Sequence, residues 1–152
     1  MQFMNNYSNR ELNIWAELIL SILVSCYFFP KIFPLIINDQ LYSEALVDIV
    51  MTSIIIAIIY SIFVFGAINT LTKREEKDER DYIYELKSYR ISNIIFHVSI
   101  YLLISLIVFN PINQVRLNEY TAPMIAMILP IITLLSSIGK CLTQLFNYRK
   151  NI

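Results

Sequence analysis

Four predominantly apolar runs of membrane-spanning length succeed one another along the chain, separated by two short polar connections and one long charged segment. The first reads as a helix from about Leu12 to Phe29, with a prolongation to Ile37 through a bend at Pro30 and Pro34; Ser8 and Glu11 have the spacing of a capping box at its start. The second begins at Ser43 or Glu44 and ends near Ile68. Its apolar centre, Ile49 to Ile68, covers about 30 Å at a rise of about 1.5 Å per residue, the thickness of a bilayer's hydrocarbon core. The third spans about Ile91 to Phe109 and is closed by Asn110-Pro111. The fourth opens at Thr121-Ala122-Pro123, where proline suits a first helical turn, and continues to about Phe146 with a bend at Pro130. Strands of a membrane barrel would alternate apolar and polar residues, and these runs do not. The pattern predicts an all-α fold: one integral membrane domain over residues 1–152, a bundle of four transmembrane helices with a charged helical extension between the second and third.

Composition changes the picture by removing alternatives. With 57% hydrophobic and 16% charged residues and a mean hydropathy of +0.57, 152 residues are too apolar for a water-soluble domain. Lys plus Arg and Asp plus Glu are twelve each, so net charge supports neither nucleic acid nor an acidic ligand as a partner, and only the placement of charge informs. Ten of the twelve basic residues (Arg10, the six from Lys73 to Arg90, Lys140, Arg149 and Lys150) fall on one side of the spans, against Lys31 and Arg116 on the other. That asymmetry predicts both termini and the charged segment in the cytoplasm, in a multi-pass protein of the cytoplasmic (inner) membrane. Met1 to Asn9 contains no Lys or Arg and no small-residue cleavage site follows the first apolar run, so the first helix is read as retained. Cys26 and Cys141 lie inside apolar runs without a C-x-x-C or Cys/His spacing and read as packing residues.

The charged segment, about 70–90, contains no Gly or Pro, and Glu76/Arg80 and Lys77/Asp81 stand at i,i+4 with opposite charge. It should be helical and project into the cytoplasm, with Tyr82, Ile83, Leu86 and Tyr89 as a narrow apolar stripe. A solvated hairpin is the bland account of it. A docking surface made by Asp78, Glu79, Arg80, Asp81, Lys87 and Arg90 is the sharper one. Asp78-Glu-Arg-Asp81, then Ile83, then Lys87-Ser-Tyr-Arg90 leading into a span, resembles the DER…I…K(S/A).R signature of small prokaryotic membrane-protein families of unknown function. The resemblance covers about a dozen residues plus the span layout. It implies a cytoplasmic position between membrane helices, and members are often found beside small helix-turn-helix regulators; a cytoplasmic protein partner is what the docking-surface reading expects.

Glu17, His97 and Lys140 are ionisable groups inside spans, where charge is costly. Each lies five or six residues from the cytoplasmic end of its span, about 8 to 9 Å along the axis. If the first, third and fourth helices are neighbours, Glu17 can accept from Lys140 and His97, and the cluster could relay a proton or hold a small polar ligand. The plain alternative is snorkelling by Lys140 and Glu17 and a helix-helix hydrogen bond from His97. Glu44 and Asp48 fit a cation-attracting rim or, more simply, complement a helix N-terminus. Ser21, Ser25, Ser53, Ala57, Ser136, Ser137 and Gly139 suit close helix packing, and Trp15, Tyr42, Tyr120 and Tyr148 an interfacial aromatic belt. No nucleophile with its base, paired carboxylates or metal-ligand spacing is present, so no catalytic residue, cofactor or metal is expected. The expectation is a non-catalytic membrane module, regulatory, sensing, protective or assembling, as a homo-oligomer or part of a larger membrane complex. The alternative is an oligomeric pore, ion or proton pathway, or membrane-permeabilising effector.

Overall fold

The computed structural model describes residues 9–38, 44–71, 78–108 and 114–150, without side chains for residue 9 and residues 106–108 and 114–122. It is helical in every element. Helix α1 runs Asn9–Ile37 with both Pro30 and Pro34 inside it, so the longer of the two sequence boundaries is the one adopted. Neither proline ends it, and the Asn38 N–H still donates to the Pro34 carbonyl at 3.0 Å. Ser8, the expected cap, lies outside the described residues.

Helix α2, Glu44–Tyr60, continues through a π-helical turn, Ser61–Phe65, into α3, Gly66–Leu71. The sequence predicts one plain α-helix here. A π turn carries an extra residue, which rotates the next helical segment by about 100° and widens the helix locally. It closes on Gly66, whose N–H is shared between the carbonyls of Ile62 and Phe63. Helix α4, Glu79–Val108, is one unbroken rod from the charged segment into the third apolar run. The i,i+4 partners Glu76 and Lys77, like Asn110-Pro111, fall outside the described residues. Helix α5, Gln114–Lys150, starts earlier than the expected Thr121-Ala122-Pro123 boundary and keeps Pro123 and Pro130 in its interior. A proline removes one backbone donor and bends a helix, yet it need not end one whose neighbouring turns stay paired.

Among the described residues three helical stretches are long and apolar enough to cross a membrane: Arg10–Ile37, Glu44–Leu71 and Pro123–Lys150. Their outward surfaces carry Ile, Leu, Val and Phe. Helix α5 packs against α4, α1 and α2, and so holds the bundle together. One apolar cluster joins Phe28, Ile32 and Leu35 of α1 to Leu46 and Ile49 of α2, and another joins Ile14 and Leu18 of α1 to Cys141 and Leu145 of α5.

Small residues also lie where α5 meets α4 and α1, and let the backbones approach there. Ser92 and Ser136 hydroxyls lie 2.7 Å apart, the Ser136 hydroxyl also reaches the Ser92 carbonyl at 3.0 Å, and Ser21 meets Ser137 at 3.0 Å. A Cβ on Gly139 would sit 2.4 Å from Ile95 Cδ1. That atom is the end of a flexible side chain, so Gly139→Ala should be accommodated. Gly139→Leu should wedge α4 from α5 and destabilise by about 1 to 3 kcal/mol. The expected order of melting temperatures in detergent is wild type and Gly139→Ala close together, Gly139→Leu lower, and Gly139→Leu partly rescued by Ile95→Ala.

Candidate functional site

The charged ends of α1, α4 and α5 enclose a cavity of about 330 Å³, walled partly by Phe65 of the π turn. Two polar clusters form it. At its inner end Lys140 Nζ donates to both carboxylate oxygens of Glu17, at 2.7 and 2.8 Å. The Ser137 hydroxyl donates to Glu17 Oε1 at 3.4 Å, and the ammonium lies 5.1 Å from the centre of the Tyr89 ring. One cation on α5 thus engages α1 and α4 together. The pair is largely shielded, with 18% of the lysine and 30% of the glutamate side chain exposed, so a Coulombic attraction is less screened here than on an open surface.

At the mouth, Arg10 of α1 pairs with Asp81 Oδ2 of α4, and the Tyr148 hydroxyl of α5 donates to Asp81 Oδ1 at 2.6 Å. The Tyr148 ring stands edge-on to Tyr84 at 5.2 Å. Asp81 also serves its own helix. Asp78 precedes the first turn, its N–H donating to Asp81 Oδ2 at 3.0 Å while its own Oδ1 accepts from the Glu79 N–H at 2.7 Å. The reach of Asp81 back to the cap N–H is one half of a capping box; the other half is replaced, since the cap carboxylate takes the Glu79 N–H and the Asp81 N–H donates to the Asp78 carbonyl at 3.1 Å. The Asp78-Glu-Arg-Asp81 spacing therefore has a local reason: it starts α4, and its second aspartate then ties that start to two other helices.

Of the three ionisable groups singled out in the sequence, Glu17 and Lys140 meet and His97 does not join them. His97 is exposed, its Nδ1 lies 2.8 Å from the Asn93 carbonyl of its own helix, and its ring stands against Phe96. The expectation of a three-residue cluster at one depth is corrected by helix geometry. Lys140 is level with Tyr89, eight residues before His97, which is about 12 Å of helix. His97 also stands five residues beyond Ser92, which faces α5, and so points about 140° around the helix from that contact.

The six proposed docking residues divide. Asp81 is turned inward, whereas Asp78, Glu79, Arg80, Lys87 and Arg90 are exposed. Because Asp81 is level with Arg10 and Tyr148, the charged part of α4 does not project alone; α1 and α5 extend beside it. The stripe Tyr82, Ile83, Leu86 and Tyr89 faces outward. Trp15 lies beneath the Arg149 guanidinium, 5.5 Å from ring centre to Cζ, Tyr42 falls outside the described residues, and Glu44 and Asp48 are exposed at the opposite end. Not foreseen were the Arg10–Asp81–Tyr148 clasp, the bond from the Tyr60 hydroxyl to the Ala16 carbonyl at 3.0 Å, and Glu85 on the cavity wall. The D-x-x-D capping spacing was the available signal for the first.

The cavity thus holds three carboxylates, Glu17, Asp81 and Glu85, against the two cations Arg10 and Lys140. Such a set suits fixing helices in register and holding polar solute. Removing one partner of the inner pair leaves the other charge shielded and uncompensated, a cost of about 2 kcal/mol. Glu17→Gln and Lys140→Met are each expected to lower the melting temperature of the purified protein. The double variant should lose less than the sum of the two, and His97→Ala should change little. Additive losses would show that the pair is not energetically coupled.

No protein-family model, curated protein or solved structure matches the chain.

Proposed function

We propose that the chain is a four-span membrane protein, both termini cytoplasmic, that acts as a non-catalytic module presenting the start of α4 to a cytoplasmic protein partner. The fourth crossing in this reading is the part of α4 from Ile91 onward, which carries no Asp, Glu, Lys or Arg up to Val108. The observation that carries the reading is the Asp81 clasp. It ties the first turn of α4 to α1 and α5 through groups turned away from solvent, leaving Asp78, Glu79 and Arg80 exposed on a positioned helix end. Charged side chains on a preorganised element lose less conformational freedom on binding than the same residues on a loose loop. The weak Arg80–Asp78 contact, 3.9 Å with both side chains open to solvent, costs little to exchange for a partner's charges.

Reversing the three charges (Asp78→Lys, Glu79→Lys, Arg80→Glu) should abolish photocrosslinking from a probe at Leu86 to a cytoplasmic protein in intact cells, with membrane insertion unchanged. A crosslink that survives the reversal would remove the docking role.

A second reading, an oligomeric ion or proton pathway, has a specific observation behind it. The Ser21 and Ser137 hydroxyls and the Glu17 carboxylate form a hydrogen-bonded chain between the charged cavity and a separate groove of about 440 Å³ lined by α1, α2 and α5. Four helices of this length do not enclose a wide aqueous route, so conduction requires self-association. Liposomes containing the protein should then dissipate a pH gradient at a rate altered by Glu17→Gln, and tight liposomes would dismiss this reading.

A further inference from the structure

On the outer side of the α4–α5 contact, away from the charged cavity, lies an open groove of about 640 Å³. Lys87 and Arg90, one turn apart on α4, stand on one wall, with Ile91 next to them; Leu142 and Phe146 of α5 stand opposite. Among the described residues neither Lys87 nor Arg90 has an ion-pair partner, unlike Arg10, Arg80 and Lys140. The groove's other polar side chains are turned back on α5: Thr143 donates to the Gly139 carbonyl and Asn147 Nδ2 to the Thr143 carbonyl. Two cations are therefore left facing outward beside an apolar wall.

Their position along the bundle is also fixed. Arg90 is the last charged residue of α4 before the uncharged stretch to Val108, and it neighbours Tyr89, which is level with Lys140. Side chains on a helix lean toward its N-terminus, so the Lys87 and Arg90 heads lean to the charged end while Ile91, Ile94 and Val98 continue the exposed apolar surface on the other side. Leu142 and Phe146 are 54% and 66% exposed. Because Lys140 is level with Tyr89 and Tyr148 with Asp81, Phe146 stands beside the cations toward the charged end and Leu142 at the height of Lys87. Below the cations the surface continues through Ile91 and Ile94, the order of groups at a bilayer's headgroup boundary.

We propose that this groove binds an anionic phospholipid, its phosphate between Lys87 and Arg90 and an acyl chain running past Leu142 onto Ile91 and Ile94. A free phosphate would satisfy the cations and leave the apolar wall without a role, which is why the lipid is the occupant assigned. The proposal rests on the four-span reading for α4 and is separate from the docking role of Asp78, Glu79 and Arg80.

The test uses the full-length protein in nanodiscs of mixed phosphatidylglycerol and phosphatidylcholine, with retained lipid counted by native mass spectrometry. Phosphatidylglycerol should be retained preferentially, and the pair Lys87→Gln and Arg90→Gln should lower that retention about fivefold or more, with no change in melting temperature. Lys150→Gln, an exposed cation outside the groove, should leave it unchanged, and Leu142→Asn should weaken it. Equal retention of both lipids, an equal loss from Lys150→Gln, insensitivity to Leu142→Asn, or displacement by inorganic phosphate would each overturn the assignment. In parallel, a cysteine at Leu102 in a Cys26→Ala, Cys141→Ala background reports whether α4 is shielded from aqueous maleimide. Absence of preferential retention by the wild-type protein with shielding intact removes the lipid site alone, whereas labelling removes the four-span reading.

Discussion

An ammonium group among apolar helices is costly without a counter-charge, and Lys140 sits on the helix against which α1, α2 and α4 all pack. Glu17 answers it with both carboxylate oxygens, and that fixes α1 against α5 in rotation and in height. Apolar side chains alone specify neither well, because in lipid one face of a Leu-rich helix is as acceptable to a neighbour as another. A buried ion pair is weak evidence for stability; fixing a unique register is a better attested use of one. Here the neighbouring contacts agree with that register: Ser21 meets Ser137 within a turn of the pair, and Ser92 meets Ser136 on the other side of α5.

Much of this architecture was legible because bilayer physics leaves few options. Long apolar runs must be helical if their backbone groups are to pair, and α1, α2 with α3, and α5 coincide with runs read from the sequence. What resisted reading was relational. That α4 and α5 lie side by side is not a property of either segment, so the meeting of Glu17 with Lys140 could only be conditional on neighbours. His97 shows the limit. Its depth was estimated from a span boundary at Ile91, but α4 is continuous from Glu79, and once Tyr89 is level with Lys140 the histidine lies too far along and on the wrong face. The π turn was invisible for a related reason: Ser61–Phe65 has no sequence signature, and its visible consequences are placements relative to other helices, Tyr60 against Ala16 and Phe65 against the cavity.

Local chemistry and tertiary chemistry overlap at one residue. Asp81 is where a helix-starting device becomes an inter-helix one, since the oxygen that accepts the Asp78 N–H also receives Arg10, and its second oxygen receives Tyr148. A carboxylate has room for this because each oxygen offers two lone pairs. The charged residues around it that are not so engaged are then the ones left to meet something outside the chain, and they fall at two places on α4: the exposed first turn, and the pair beside the α5 groove about 14 Å further on.

The bundle's two ends are held by different kinds of force. Ion pairs and hydrogen bonds join α1, α4 and α5 at the charged end, whereas the described contacts of α1 with α2 at the other end are aliphatic and aromatic, Phe28, Ile32 and Leu35 against Leu46 and Ile49. Directional bonds break when helices slide; hydrocarbon contacts exchange partners at little cost. The charged end therefore carries contacts that specify register, and the Phe28–Ile49 end carries contacts that specify it less. Helices meet a thinner or thicker bilayer by tilting, and in this chain such a tilt would be taken up by splaying at the Phe28–Ile49 end while the charged end kept its geometry.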